Sequence, residues 1–86
     1  MLEKISAPVS VGLLFDHKMR KCVPKWVKWE GKLYKIEKIG FHHTYREGRV
    51  FYHVFSVASE TLFFRLVLNT ETLIWRLEEL SDGLPD

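Results

Sequence analysis

The sequence predicts an all-β fold, and three observations carry that prediction. Five segments, Lys25–Glu30, Lys32–Tyr45, Val50–Ala58, Leu62–Leu68 and Leu73–Leu80, alternate apolar and polar residues at the period of a strand. Short turn signals separate them: Glu30-Gly31, Glu47-Gly48, Ser59-Glu60 and Asn69–Thr72. The registers imposed by those turns gather the large apolar side chains on one face. A one-residue slip at any turn would scatter them to the other.

Residues 1–7 read as a loose end. Val9-Ser-Val-Gly-Leu-Leu-Phe15 reads as a first strand with Val9, Val11, Leu13 and Phe15 on one face. Asp16–Pro24 is expected to be a basic loop, with room for a short strand at Met19–Val23. Pro24 then opens the next strand, where its missing N–H is tolerated. The wider course of residues 1–24 is open at this level.

Four turns set the remaining pairs. Glu30-Gly31 sets Trp29 opposite Lys32 and Val27 opposite Tyr34, with glycine accepting a positive φ cheaply. Glu47-Gly48 sets His42 opposite His53 and Phe41 opposite Val54. Ser59-Glu60 sets Val57 opposite Leu62 and Phe55 opposite Phe64. The loop Asn69–Thr72 sets Leu68 opposite Leu73 and Leu66 opposite Trp75. Residues 81–86, with Gly83 and Pro85, read as a second loose end.

Directly paired residues share a face. One face therefore collects Val27, Trp29, Tyr34, Ile36, His42, Phe51, His53, Phe55, Val57, Leu62, Phe64, Leu66, Leu68, Leu73, Trp75 and Leu77, which is a core. Lys38 falls among them unless a bulge near Glu37–Ile39 moves it. The opposite face collects Trp26, Lys28, Leu33, Lys35, Glu37, Ile39, Phe41, His43, Tyr52, Val54, Phe63, Arg65, Val67, Ile74 and Arg76. The expected architecture is a small SH3-like barrel, or a strongly bent antiparallel meander, of five to six strands with the first face inside. Residues 73–80 keep a rival reading. Asn69 could cap a helix carrying Leu73, Ile74, Leu77 and Leu80, closed by Gly83.

Eighty-six residues make one domain, 1–86, with an ordered core expected over roughly 8–80. The apolar fraction of 47% and charged fraction of 28% are globular rather than disordered values. Cys22 stands alone, so an internal disulfide is excluded and a reducing compartment is favoured. Val9–Phe15 is too short to cross a bilayer as a helix, and it lacks the flanks of a signal peptide. A cytoplasmic location is the expectation.

Net charge is only +2, but its placement is uneven. From His17 to Lys38 eight Lys/Arg face two acids, a net of +6. From Glu60 to Asp86 two arginines face six acids, a net of −4. Such asymmetry suits an anionic partner for the first half, and equally two solvated surfaces.

Three stretches carry a family resemblance: Ala7-Pro8-Val9-Ser10-Val11, then Pro24-Lys-Trp-Val-Lys-Trp29-Glu-Gly31-Lys-Leu-Tyr34-Lys-Ile36, and the closing Trp75-Arg-Leu77. With the Tyr52–Phe55 and Phe63–Leu66 strands they span most of the chain. The chain resembles a family of small bacterial β domains of unknown function whose genes often neighbour those of Y-family DNA-damage-tolerance polymerases. It departs from that family's pattern at Phe41-His42-His43-Thr44, where an aromatic or tryptophan-rich segment is usual. The resemblance implies a small β domain in a bacterial cytoplasm. It implies no catalytic residues.

The second face is the functional candidate. Trp26, Phe41, Tyr52 and Phe63 could stack on bases or on a protein. Lys28, Lys35, Arg65 and Arg76 could meet phosphates or acidic groups. Exposed apolar surface of this kind also marks protein partners or self-association. The leading expectation is therefore a non-catalytic binding module for a protein partner or a second copy. Direct binding of single-stranded or duplex nucleic acid by the same face is the alternative. His42 and His53 could furnish two zinc ligands, but the same face offers no third, so no metal or other cofactor is expected. Cys22 lies beside Lys21 with no base or orienting group near it in sequence. Gly31 and Gly48 are isolated turn glycines rather than a phosphate loop. Adjacent Glu78 and Glu79 on a strand point to opposite faces, which suits no acid–base pair. An enzyme is not expected.

Overall fold

The computed structural model describes residues 1–83; Pro85 of the expected C-terminal loose end lies outside the described residues. The chain forms seven strands: β1 Leu2–Asp16, β2 Lys21–Trp29, β3 Lys32–Lys35, β4 Lys38–Glu47, β5 Val50–Ala58, β6 Phe63–Asn69 and β7 Trp75–Ser81. Among the described residues there is no helix, and so none long and apolar enough to cross a membrane. The strands make one antiparallel sheet in the order β3-β2-β1-β7-β6-β5-β4. This is one or two strands more than expected, and no β3–β4 ladder closes the sheet.

The added strand arises where Ile36-Glu37 divides the expected Lys32–Tyr45 segment into β3 and β4, while the expected first strand lengthens at its N-terminal end. Residues 2–6, expected to be loose, belong to β1. Its first half pairs with β7, setting Leu2 opposite Ser81 and Val9 opposite Trp75. Its second half pairs with β2, setting Ser10 opposite Lys28 and Asp16 opposite Lys21. The expected basic loop shrinks to a turn at 17–20. There the Asp16 carboxylate accepts the Lys18 and Met19 amides at 2.9 and 3.2 Å. Pro24 lies inside β2, opposite Leu13 at a register shift that leaves Lys25 unopposed. A bulge is where a strand accommodates proline, since no ladder bond is lost.

The β2–β3 hairpin has the expected register, with Val27 opposite Tyr34 and Trp29 opposite Lys32. Glu30 and Gly31 both take positive φ, 50° and 78°, the type I′ arrangement. The other three turns sit two residues away from the expected register. At β4–β5 only Gly48 is positive (62°), as in a type II′ turn with glycine first, so Gly48-Arg49 is the loop. His42 then faces Phe55 and Thr44 faces His53. At β5–β6 the loop widens to residues 59–62, held by the Ser59 amide on the Leu62 carbonyl (2.8 Å). Val57 faces Phe64 and Phe55 faces Leu66. At β6–β7 Leu68 faces Trp75 and Leu66 faces Leu77. A two-residue offset leaves every side chain on its face, so the division into two faces survives.

The capping signal at Asn69 is used, but for one turn only. Its side-chain oxygen accepts the Glu71 and Thr72 amides, and its carbonyl accepts the Leu73 amide at 2.7 Å. Leu73 then adopts φ 63° and the chain turns back as β7. Leu73, expected in the core, is 71% exposed. A bulge does lie between Ile39 and Phe41, with Gly40 the extra residue. It carries Lys38 off the inner face and brings Ile39 onto it, correcting the expected outer position of Ile39.

The sheet rolls over on itself. The two-residue link Ile36-Glu37 carries the chain from one sheet edge to the other. The Ile36 amide bonds the Lys25 carbonyl of β2 (2.9 Å), and the Glu37 amide bonds the Ala58 carbonyl of β5 (2.8 Å). Tyr34 on β3 meets Phe64 on β6 edge to face at 5.1 Å, although three strands separate them in the sheet. Inside the roll lie Val27, Ile36, Phe55, Val57, Phe64, Leu66, Trp75 and Leu77, all buried.

Candidate functional site

Rolling divides the expected binding face into two surfaces. On the three-stranded side, two cross-strand rows stand outward: Gly12–Trp26–Lys35 and Ser10–Lys28–Leu33. The Trp26 indole lies against Gly12, so closely that a Cβ at position 12 would fall 2.0 Å from both its Cε2 and its Nε1. Lys35 stands directly opposite Trp26, and Lys28 and Leu33 are exposed beside it. This surface unites Trp26, Lys28 and Lys35.

On the β4–β7 side the rows are Phe41–Ser56–Arg65–Glu79, His43–Val54–Val67–Arg76 and Tyr45–Tyr52–Asn69. Phe41, Tyr52, Arg65 and Arg76 fall on these rows, and Phe63 stands beside them next to Ala58. Val54 and Val67 are buried although they face outward, which makes this surface apolar underneath. Phe41 and Phe63 are 55% and 52% exposed. A hollow of about 300 Å³ opens between Lys38, Ser56, Ala58, Phe63 and Arg65.

The two arginines here are engaged within the chain. Arg65 Nε lies 3.5 Å from a Glu78 carboxylate oxygen, an ion pair without hydrogen-bond geometry. Arg76 donates to the Ser6 carbonyl at 2.7 Å and to its hydroxyl at 3.1 Å. Ser6 has φ 56° in the β1 bulge, so Arg76 serves to pin that bulge.

Tyr45 escaped the sequence reading. It stacks on Tyr52 with centroids 4.8 Å apart and planes 13° apart. Continuing the Phe41–His43 alternation by one step would have found it. Burial, and then the Glu78 carboxylate, hold the Tyr45 hydroxyl above its ordinary pKa.

The histidine pair lies on the inner face at the open rim. His42 and His53 are diagonal rather than opposite neighbours, yet His42 Nε2 and His53 Nδ1 share a 2.8 Å hydrogen bond. His42 also stacks on Phe55, centroids 4.2 Å apart and planes 6° apart. Burial first, then His53, His43 and Lys21, lower its pKa. Among the described residues no set of three His, Cys, Asp or Glu groups could hold a metal ion. Phe51, expected in the core, is 42% exposed at this rim, beneath the Arg46 guanidinium at 4.7 Å. Cys22 is exposed on β2 opposite Phe15, four residues before Trp26.

No family model, no curated protein and no solved structure matches this chain.

Proposed function

We propose that the chain is a non-catalytic binding module that takes a protein partner on the outer face of β4–β7. One observation carries this reading: half-exposed Phe63 lines an apolar hollow, half-exposed Phe41 heads the row whose Ser56 and Arg65 also line it, and the two arginines of this face make contacts within the chain. Apolar surface whose arginines already make contacts within the chain suits a protein side chain better than a phosphate backbone. The rolled sheet is read as a variant of the small SH3-like barrel. The resemblance to domains encoded beside damage-tolerance polymerases suggests a bacterial cytoplasmic role in DNA repair, by analogy alone.

Direct nucleic-acid binding is the second reading, and the three-stranded surface favours it. Trp26 offers a flat ring, Lys28 and Lys35 stand free beside it, and stacking on such a ring contributes about 1–3 kcal/mol per base. A labelled single-stranded oligonucleotide, titrated at low and at moderate salt, separates the two. The leading reading expects no binding at low salt, and expects capture of a protein from cell extract to be lost in Phe41→Ser/Phe63→Ser but kept in Trp26→Ala. Oligonucleotide binding that fades as salt rises and disappears in Trp26→Ala would transfer the function to the other surface.

A further inference from the structure

The two edges of the sheet are guarded unequally. β3 is four residues long, and its ends carry Lys32 and Lys35; short length and lysine are common protections of a strand edge. β4 is ten residues long, and its central run Phe41-His42-His43-Thr44-Tyr45 carries no Lys, Arg, Asp, Glu or Pro. Nothing among the described residues pairs with its outer edge.

The groups left open on that edge follow from the ladder. Thr70 donates its amide to the Phe51 carbonyl at 3.0 Å, so Phe51 turns its backbone toward β6. Alternation then turns Tyr52, Val54 and Ser56 toward β4, where they bond Tyr45, His43 and Phe41. His42, Thr44 and Arg46 are left with backbone N–H and C=O groups pointing outward.

We propose that β4 pairs antiparallel with β4 of a second copy across a two-fold axis through His43. A two-fold perpendicular to the sheet keeps outer faces together, so only residues of like face can be opposed. Centred on His43, it sets His42 opposite Thr44 of the second copy, and both are outward-bonding residues. It sets Phe41 opposite Tyr45 of the second copy, an aromatic cross-strand pair that prolongs the Tyr45–Tyr52 stack. The ends complement each other, because Lys38 of one copy approaches the Glu47 end of the other. Centring on His42 would instead oppose Lys38 and Arg46, and centring on Thr44 would oppose Phe41 and Glu47. The inference does not rest on the outer-face function, because it employs the backbone of the edge.

Light scattering over a concentration series tests it. The intact chain is expected at twice its 10.2 kDa mass. Thr44→Pro removes an outward N–H without touching the β5 ladder, and is expected to give a monomer with an unchanged circular-dichroism spectrum. His43→Glu and His43→Lys oppose like charges at the axis and are each expected to be monomeric, whereas their equimolar mixture is expected to recover the dimer mass. A monomeric wild type overturns the proposal. So does a dimer indifferent to Thr44→Pro and to both His43 variants.

Discussion

Trp26 on β2 lies across Gly12 on β1, and the ring occupies the space where any other residue at position 12 would place its Cβ. An aromatic ring covering a cross-strand glycine restores apolar contact where the glycine has none to give. Gly12→Ala is therefore expected to displace the indole and cost about 1–3 kcal/mol. Trp26→Ala alone should be tolerated. The double variant should be more stable than the sum of the two losses, because the clash is gone. Thermal melts with Trp26 emission as a second readout check this; simple additivity would remove the coupling.

The inner and outer faces differ in what they tolerate. Phe55 and Trp75 are each 7% exposed and meet at 5.6 Å in the core. Truncating either to alanine is expected to cost about 3–5 kcal/mol, enough to unfold a domain of this size. Tyr52→Ala removes only the stack on Tyr45 and should cost far less. Equal losses at Tyr52 and Phe55 would contradict the division of faces.

Leu73 holds φ 63° with 71% of its surface exposed, a poor conformation for a branched apolar residue. Leu73→Asn or Leu73→Gly is expected to stabilise the domain by about 0.5–1 kcal/mol. Urea denaturation gives the answer, and a loss of stability would mean that the loop needs the leucine side chain.

Burial, and then the neighbouring His53, hold the His42 pKa below the ordinary histidine range, so the unfolded chain binds this proton more readily than the folded one. Its contribution is complete above about pH 6.5 and is lost as pH falls toward the folded value. The melting temperature is expected to drop as pH is taken from neutral to mildly acidic. His42→Phe keeps the stack on Phe55 and should flatten that dependence. An unchanged slope in His42→Phe would assign the effect to other groups.

The site was partly legible before the fold was known. Alternation placed Trp26, Lys28, Lys35, Phe41, Tyr52, Phe63, Arg65 and Arg76 outward, and all stand there. It could not show that the roll would part the first three from the other five. Nor could it show that Arg65 and Arg76 would be engaged by Glu78 and Ser6, because those contacts join residues brought together by a bulge or by distant strands.

By itself the sequence determined the strand content and the two faces, because a period of two and its turns are local properties of the chain. Tertiary structure decided the register of three turns, since a two-residue offset preserves every face and only the packing of particular cross-strand partners, such as His42 on Phe55, distinguishes the choices. It also drew residues 2–6 into β1, where β7 offered them a free ladder. And it set Tyr34 against Phe64, a contact between β3 and β6 that exists only because the sheet rolls over its own inner face.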